Sequence, residues 1–135
     1  MSNKSNGNQF ERELAKNLSD YGAWVHLLQQ NSSGQPADLI VATPSYCTLI
    51  DCKDISGKGG FRLSRVEENQ RLAMSRFTDR IGNFCWFAVR FSDGAIYLQP
   101  AHYMFQDIDS GRASIPEQEI RDGWFPLGMF KEVEL

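Results

Sequence analysis

Two aspartates thirteen positions apart constrain this chain more than any other feature. Asp38 precedes the apolar run Leu39-Ile40-Val41, and Asp51 follows Leu49-Ile50, with Thr43-Pro44-Ser45 between the runs. Both runs have strand character, and the Pro-containing segment reads as the turn joining them. A hairpin centred between Pro44 and Ser45 sets Ala42 opposite Cys47, Ile40 opposite Leu49 and Asp38 opposite Asp51. Cross-strand partners lie about 5 Å apart at Cβ, so two like charges there oppose pairing unless a positive group joins them. The alternation of a strand puts Lys53 on the same face as Asp51. The expected result is two carboxylates and an ammonium at the open end of an apolar hairpin.

Hard oxygen donors in that number suit Mg²⁺, with Mn²⁺ as a substitute, because such ions take one or two carboxylates and complete their shell with water and phosphate. A lysine beside the ion orients or helps deprotonate a water, and the ion stabilises charge on a phosphate under attack. The plain alternative is a strand-initiating Asp38 and a surface pairing of Asp51 with Lys53. Three groups brought to one point by register favour the metal site.

The remaining elements fall around this hairpin. Phe10, Leu14, Leu18 and Tyr21 share a helical face, giving a first helix from about Asn8 to Tyr21 that Gly22 ends. Residues 1–7 read as a flexible N-terminus. Ala23 to Gln29 reads as a strand, Gln30 to Gln35 as a turn-rich link, and Asp54 to Gly60 as a loop. Ser64 and Glu67 have the spacing of a capping box for a second helix running to about Arg80, with Val66, Ala73, Phe77 and Ile81 inward. Phe84 to Phe91 is a buried strand, turned by Ser92-Asp93-Gly94 into Ala95 to Gln99, and Pro100 to about Asp107 forms a short helix. Ser114 and Glu117 repeat the capping pattern, and residues 124–135 form an aromatic tail in which Trp124, Phe125 and Phe130 pack on the domain or on a second copy. This order gives an α/β fold, a mixed sheet of about five strands flanked by helices, in one domain over residues 1–135.

Composition narrows the class. The 135 residues include 41% apolar side chains, enough for a core. Cys47, Cys52 and Cys85 lie in strand-like runs without a Cys-x-x-Cys pair and read as buried thiols of a reducing, intracellular compartment. Neither a membrane span nor a signal-peptide core is expected. His26 and His102 stand apart, so no zinc or histidine-based site is expected, and Ser56-Gly57-Lys58-Gly59-Gly60 lacks the spacing of a nucleotide-binding P-loop. The net charge of −3 argues against a generic nucleic-acid binder, yet residues 53–90 carry 8 basic and 4 acidic groups. That stretch includes Lys53, Lys58, Arg62, Arg65, Arg71, Arg76, Arg80 and Arg90, an expected DNA-facing surface.

Pro36-Ala37-Asp38 followed by Asp51-Cys52-Lys53 resembles the signature of the PD-(D/E)xK nuclease superfamily, whose restriction-endonuclease-like core has the same order of elements. Gly7-x-x-x-Glu11-Arg12, with Ser32-Ser33-Gly34 ahead of Pro36, is similar to the archaeal Hjc-type Holliday junction resolvases. Glu68-Asn69-Gln70, Arg90-Phe91, Ile96 to Ala101 and Gly111 to Ile115 resemble the RecU-type resolvases of Gram-positive bacteria and their phages. The resemblance implies a metal-dependent endonuclease cutting four-way DNA junctions as a homodimer, with no nucleotide cofactor. It implies metal binding by Asp38, Asp51, the Cys52 carbonyl and Glu11. It further implies a water-directing role for Lys53, a site-facing Gln70, and DNA contacts from Ser32 and Ser33. Arg12 belongs to the matched helix start; the Gly-containing loop with Lys58, Arg62 and Arg65 reads equally as a contact to the DNA backbone and as a plain solvent loop. Glu13 reads as solvated. For Gln70, an inward structural hydrogen bond and a site role are both open.

Two departures from the RecU-type pattern stand out: no stalk fits between Gln30 and Gln35, and the chain is acidic. They keep a second reading open, a repair, replication or restriction-type nuclease on duplex, flap or single-stranded DNA. A third reading, a DNA-structure binder without turnover, leaves the facing carboxylates unexplained. A compact resolvase without a stalk fits a phage or mobile element.

Overall fold

A computed structural model describes residues 3–29, 35–55 and 59–135, with side chains from Gln9 onward. Among the described residues, five helices, α1 (Asn3–Tyr21), α2 (Glu68–Ile81), α3 (Ala101–Asp109), α4 (Glu117–Gly123) and α5 (Leu127–Glu134), accompany eight strands. The strands are β1 (Trp24–Leu27), β2 (Leu39–Thr43), β3 (Tyr46–Asp54), β4 (Phe61–Arg62), β5 (Trp86–Arg90), β6 (Ile96–Pro100), β7 (Ser114–Ile115) and β8 (Phe125–Pro126). Six form one sheet in the order β1-β2-β3-β5-β6-β8, and β4 pairs with β7 in a separate ribbon. Only the β3–β5 pair is parallel within the six-stranded sheet. Its crossover carries β4 and α2, the length of connection that parallel neighbours require.

The hairpin register is the one the sequence predicts. Ala42 pairs with Cys47, Ile40 with Leu49 and Leu39 with Ile50. Alternation then sorts the sheet into two buried faces. Leu39, Val41, Ile50, Cys52, Trp86, Ala88 and Leu98 pack with Phe10, Leu14 and Leu18 of α1 and Phe130 of α5. Leu49, Phe87 and Val89 pack on the opposite side with Met74, Met104, Phe105, Ile120 and the ribbon residues Phe61 and Ile115. A sheet buried on both faces is what runs such as Trp86-Phe87-Ala88-Val89 encode.

Several expected boundaries move. Helix α1 begins at Asn3, so residues 3–7 are helical rather than a flexible arm; once the buried Phe10–Leu14–Leu18 face fixes a helix, each added residue costs less than nucleation did. Helix α2 begins at Glu68 with Glu67 as its N-cap, and Ser64 sits one turn earlier in a 3₁₀ turn, Leu63–Arg65. The buried face of α2 runs through Gln70 and Met74. Val66, Ala73 and Phe77 are partly buried, and Ile81 is exposed. Gly82 ends the helix at φ 89°, donating its N–H to the Thr78 carbonyl, a left-handed cap that favours glycine. Ser114 does not cap α4, because it lies in β7 and Pro116 is the N-cap. Cys47 is partly buried rather than buried; all three cysteines are free.

The C-terminal segment is not a tail. Trp124 and Phe130 are buried, β8 adds the sixth strand against β6, and Phe130 meets Trp86 edge-on with ring centroids 4.9 Å apart. The aromatic spacing that left its partner open is satisfied within the chain itself.

Gly60 fixes the entrance to β4. A Cβ there would stand 1.7 Å from the Ile115 carbonyl oxygen, so only glycine lets the two backbones meet. Ile55, the last described residue before residues 56–58, donates its N–H to the Arg90 carbonyl at 2.8 Å; the expected loop over Asp54 to Gly60 lies partly outside the described residues.

Candidate active site

The site forms where β2 ends and β3 continues. Asp38 lies just before β2, and its N–H donates to the Ile50 carbonyl at 3.1 Å, one residue out of the register that pairs Leu39 with Ile50, so the regular ladder stops at Leu39. Its side chain turns back to β3, where Oδ2 accepts the Cys52 N–H at 2.7 Å. The Cys52 carbonyl leaves the strand on that same edge, beyond Leu39, the last paired residue of β2. The Cys52 side chain belongs to the opposite buried face, and burial pushes its thiol up, so it stays protonated.

Asp51 is 1% exposed. Its Oδ1 accepts the Gln70 Nε2–H at 2.7 Å, and its Oδ2 lies 3.0 Å from Lys53 Nζ, a charge contact without the geometry of a hydrogen bond. Gln70 is anchored at its other end, where Oε1 accepts the Glu67 N–H at 3.4 Å. The helix start thus fixes which end of the amide meets the carboxylate. Gln70 is both a structural hydrogen-bonding residue and a group of the site.

Burial dominates the electrostatics. Loss of hydration, reinforced by the nearby Asp38 charge and only partly offset by Lys53, pushes the Asp51 carboxyl up to about 7. Loss of hydration also pushes Asp38 up to about 6, with the Cys52 N–H acting against it and Glu11 acting with it. Two neighbouring carboxylates of this kind do not both ionise comfortably at neutral pH. A cation held by this pair would favour their charged forms. Asp51 Oδ2, buried and accepting no hydrogen bond, is an oxygen available for such a cation. Both carboxylates and the Cys52 carbonyl are hard oxygen donors, so the residues fit Mg²⁺ or Mn²⁺.

Glu11, on α1, is partly buried beside Asp38, and burial followed by the Asp51 charge raises its carboxyl against the pull of Asp38, Arg12 and Lys53. It does not complete a preformed cage: among the described residues, no three of His, Cys, Asp and Glu are grouped to hold an ion. Glu11 projects from a helix on the far face of the sheet and comes near Asp38 and Asp51.

The expected DNA-contacting residues are dispersed. Arg12 is exposed on α1. Arg62 is exposed on β4 and lines a cleft of about 590 Å³ with Arg71, Arg112 and the start of α2. Arg65 is exposed, its guanidinium 5.7 Å over the Phe61 ring and donating to the Asp54 carbonyl at 3.2 Å. Ser32, Ser33 and Lys58 lie outside the described residues. The basic stripe read from composition is partly neutralised within the fold. Arg71 forms a paired contact with Asp109, and Arg90, with a side chain 13% exposed, is held by Asp54 at 3.1 Å and by Glu13. Glu13 is exposed, as expected, and is in addition the ion-pair partner of Arg90. With the Arg90 guanidinium also 5.0 Å over Phe10, this cluster ties α1 to the end of β3. Seventy-seven positions separate Glu13 from Arg90, and no local spacing marks them as partners.

The chain's sequence matches the archaeal Holliday junction resolvase (Hjc) family over residues 2–121. No curated protein sequence matches it. In structure it is similar to Hjc of Archaeoglobus fulgidus, described as a Holliday junction resolvase from an archaeal hyperthermophile. The two share a TM-score of 0.66 and 14% identity, with 88% of this chain and 93% of that chain covered. That likeness establishes the nuclease fold, and the match over residues 2–121 establishes more: the chain belongs to the archaeal Holliday junction resolvase (Hjc) family.

Proposed function

We propose that this protein is a Mg²⁺-dependent endonuclease that hydrolyses phosphodiesters of four-way DNA junctions. Family membership supports the junction-cutting activity. The observation that carries the site is the meeting of Asp38, Asp51 and Lys53 on one face of the β2–β3 hairpin, with Gln70 closing it from α2.

Asp38, Asp51 and the Cys52 carbonyl would hold the ion, with Glu11 approaching from α1. When bound, Mg²⁺ supplies positive charge to the attacked phosphate and makes a bound water more acidic. The protein's own groups do the positioning. Gln70 Nε2–H fixes the plane of Asp51 by occupying Oδ1, which leaves Oδ2 directed toward Lys53. The Cys52 N–H fixes Asp38 in the same way. Lys53 Nζ orients a water for in-line attack and offsets charge that grows on the phosphate oxygens. Arg12, Arg62 and Arg65, with Ser32, Ser33 and Lys58, are proposed contacts to the DNA backbone.

A four-way junction has two-fold symmetry, and a homodimer places two such sites on it symmetrically. We read residues 1–135 as a single nuclease domain of an intracellular protein; no described helix is long and apolar enough to cross a membrane.

The test compares a labelled four-way junction with linear duplex of the same arms, in Mg²⁺, for the natural protein and Asp51→Ala. Junction cutting that exceeds duplex cutting and disappears in Asp51→Ala supports the proposal. Equal cutting of both substrates removes junction selectivity, and cutting that persists in Asp51→Ala removes the site.

A further inference from the structure

Strand β1 is an edge of the six-stranded sheet, and its burial pattern is inverted from what an apolar strand normally shows. Trp24 is 60% exposed and His26 is exposed, whereas the other two tryptophans, Trp86 and Trp124, are 1% and 5% exposed. A tryptophan serving only the fold buries its large ring, as those two do. The exposed pair is also aligned: the Trp24 and His26 rings lie 5.8 Å apart and within 7° of parallel, stacked one against the other.

The register gives this surface its address. Val25 pairs with Val41 and packs on the α1 side of the sheet. Trp24 and His26, facing the other way, pair with Ala42 and Ile40. Asp38 follows Ile40 on that same face by the two-residue alternation of a strand. The rings therefore continue the face that carries Asp38, Asp51 and Lys53. At about 3.3 Å per residue, Trp24 lies about 13 Å along the sheet from Asp38, the length of about four stacked nucleotides.

We propose that Trp24, extended by His26, is a stacking platform for an unpaired or unstacked nucleobase near the branch point of the DNA substrate. The proposal rests on the function proposed above. Bases within a duplex already stack on both sides and gain nothing from an exposed ring. A base at a branch or beside a strand exchange has a free face, and an indole accepts any base because each has a π face. The platform thus gives selectivity for branched DNA without reading sequence, and it needs no inserted stalk.

The buried positions of Trp86 and Trp124 make the test specific, since emission excited at the red edge of the tryptophan band and sensitive to solvent reports on Trp24. In buffer without divalent metal, the protein is titrated with a four-way junction and with linear duplex, and Trp24→Phe identifies the signal. Cleavage in Mg²⁺ is measured on both substrates for Trp24→Ala and Trp24→Phe. We expect quenching by the junction and not by duplex, loss of that quenching in Trp24→Phe, and a junction KM raised roughly tenfold in Trp24→Ala with kcat unchanged. Trp24→Phe should recover most of that loss. Junction cutting that proceeds without quenching overturns the platform and leaves the nuclease intact. Quenching of equal size by duplex shows proximity to DNA rather than base stacking and also overturns it. Emission that changes with protein concentration in the absence of DNA assigns β1 to a second copy of the chain and overturns it too. Absence of both binding and cutting on any DNA removes the proposed function, and the platform with it.

Discussion

Gln70 donates to Oδ1 of Asp51 at 2.7 Å while its own Oε1 is held by the first turn of α2. The amide therefore cannot reverse without losing both contacts. It acts as a positioning residue: it touches the carboxylate, and through it the place where a metal and phosphate would sit.

Gln70→Leu removes the donor and leaves Oδ1 of a buried carboxylate without a partner, a loss of about 1–3 kcal/mol. We expect junction cutting to fall about 10- to 100-fold and the Mg²⁺ concentration for half-maximal activity to rise. Metal titration of the cleavage rate separates this from a structural effect, which would leave the half-saturating concentration unchanged. Gln70→Glu, adding a third negative charge, should be worse than Gln70→Leu.

Asp51→Asn keeps the shape of the side chain and removes its charge. Cutting should disappear, and gel-shift affinity for a junction without metal should stay within a few-fold of the natural protein. The variant should also unfold at a higher temperature than the metal-free natural protein at pH 8, because a buried charge repelled by Asp38 is gone.

The raised carboxyls fix the sign of a pH dependence. Asp38 at about 6 and Asp51 at about 7 hold protons in the folded chain that they release near 4 in the unfolded one. Between about pH 4 and 7 the folded state binds more protons, so this pair's contribution to stability falls as pH rises through the window, and the loss is complete above it. Mg²⁺ binds the ionised form. The thermal shift produced by Mg²⁺ should therefore be larger at pH 8 than at pH 5, and an equal shift at both values would count against metal binding by this pair.

Phe130 tests the reassignment of the C-terminal segment. It is fully buried against Trp86 beneath the central sheet. Phe130→Ala should cost about 3–5 kcal/mol in denaturant unfolding, a core-sized loss. A change under about 0.5 kcal/mol would mean that α5 is a dispensable appendage.

The carboxylate pair was legible because its geometry is local. A short turn fixes the hairpin register, and the register fixes which side chains meet, so Asp38 and Asp51 need no knowledge of the remaining chain. Gln70 was half legible: its inward position followed from helical spacing, but its anchor depended on whether α2 began at Ser64 or at Glu67. The Glu13–Arg90–Asp54 cluster was invisible because its members come from three elements with no shared period. The ribbon of β4 with β7 and the pairing of β8 with β6 escaped for a related reason. Strands of two residues are too short to show alternation, and burial against distant partners makes them strands.

The close approach at Gly60 has a consequence for how freely this chain can vary. Any side chain there would collide with the Ile115 carbonyl, so β4 and β7 meet only over glycine. Phe61 and Ile115, the pair that follows, are both fully buried in the core on the face that carries Asp51 and Gln70. A position with no chemistry of its own is therefore among the least free to drift, since even one added methyl would be felt first in the ribbon and then in the core beneath it.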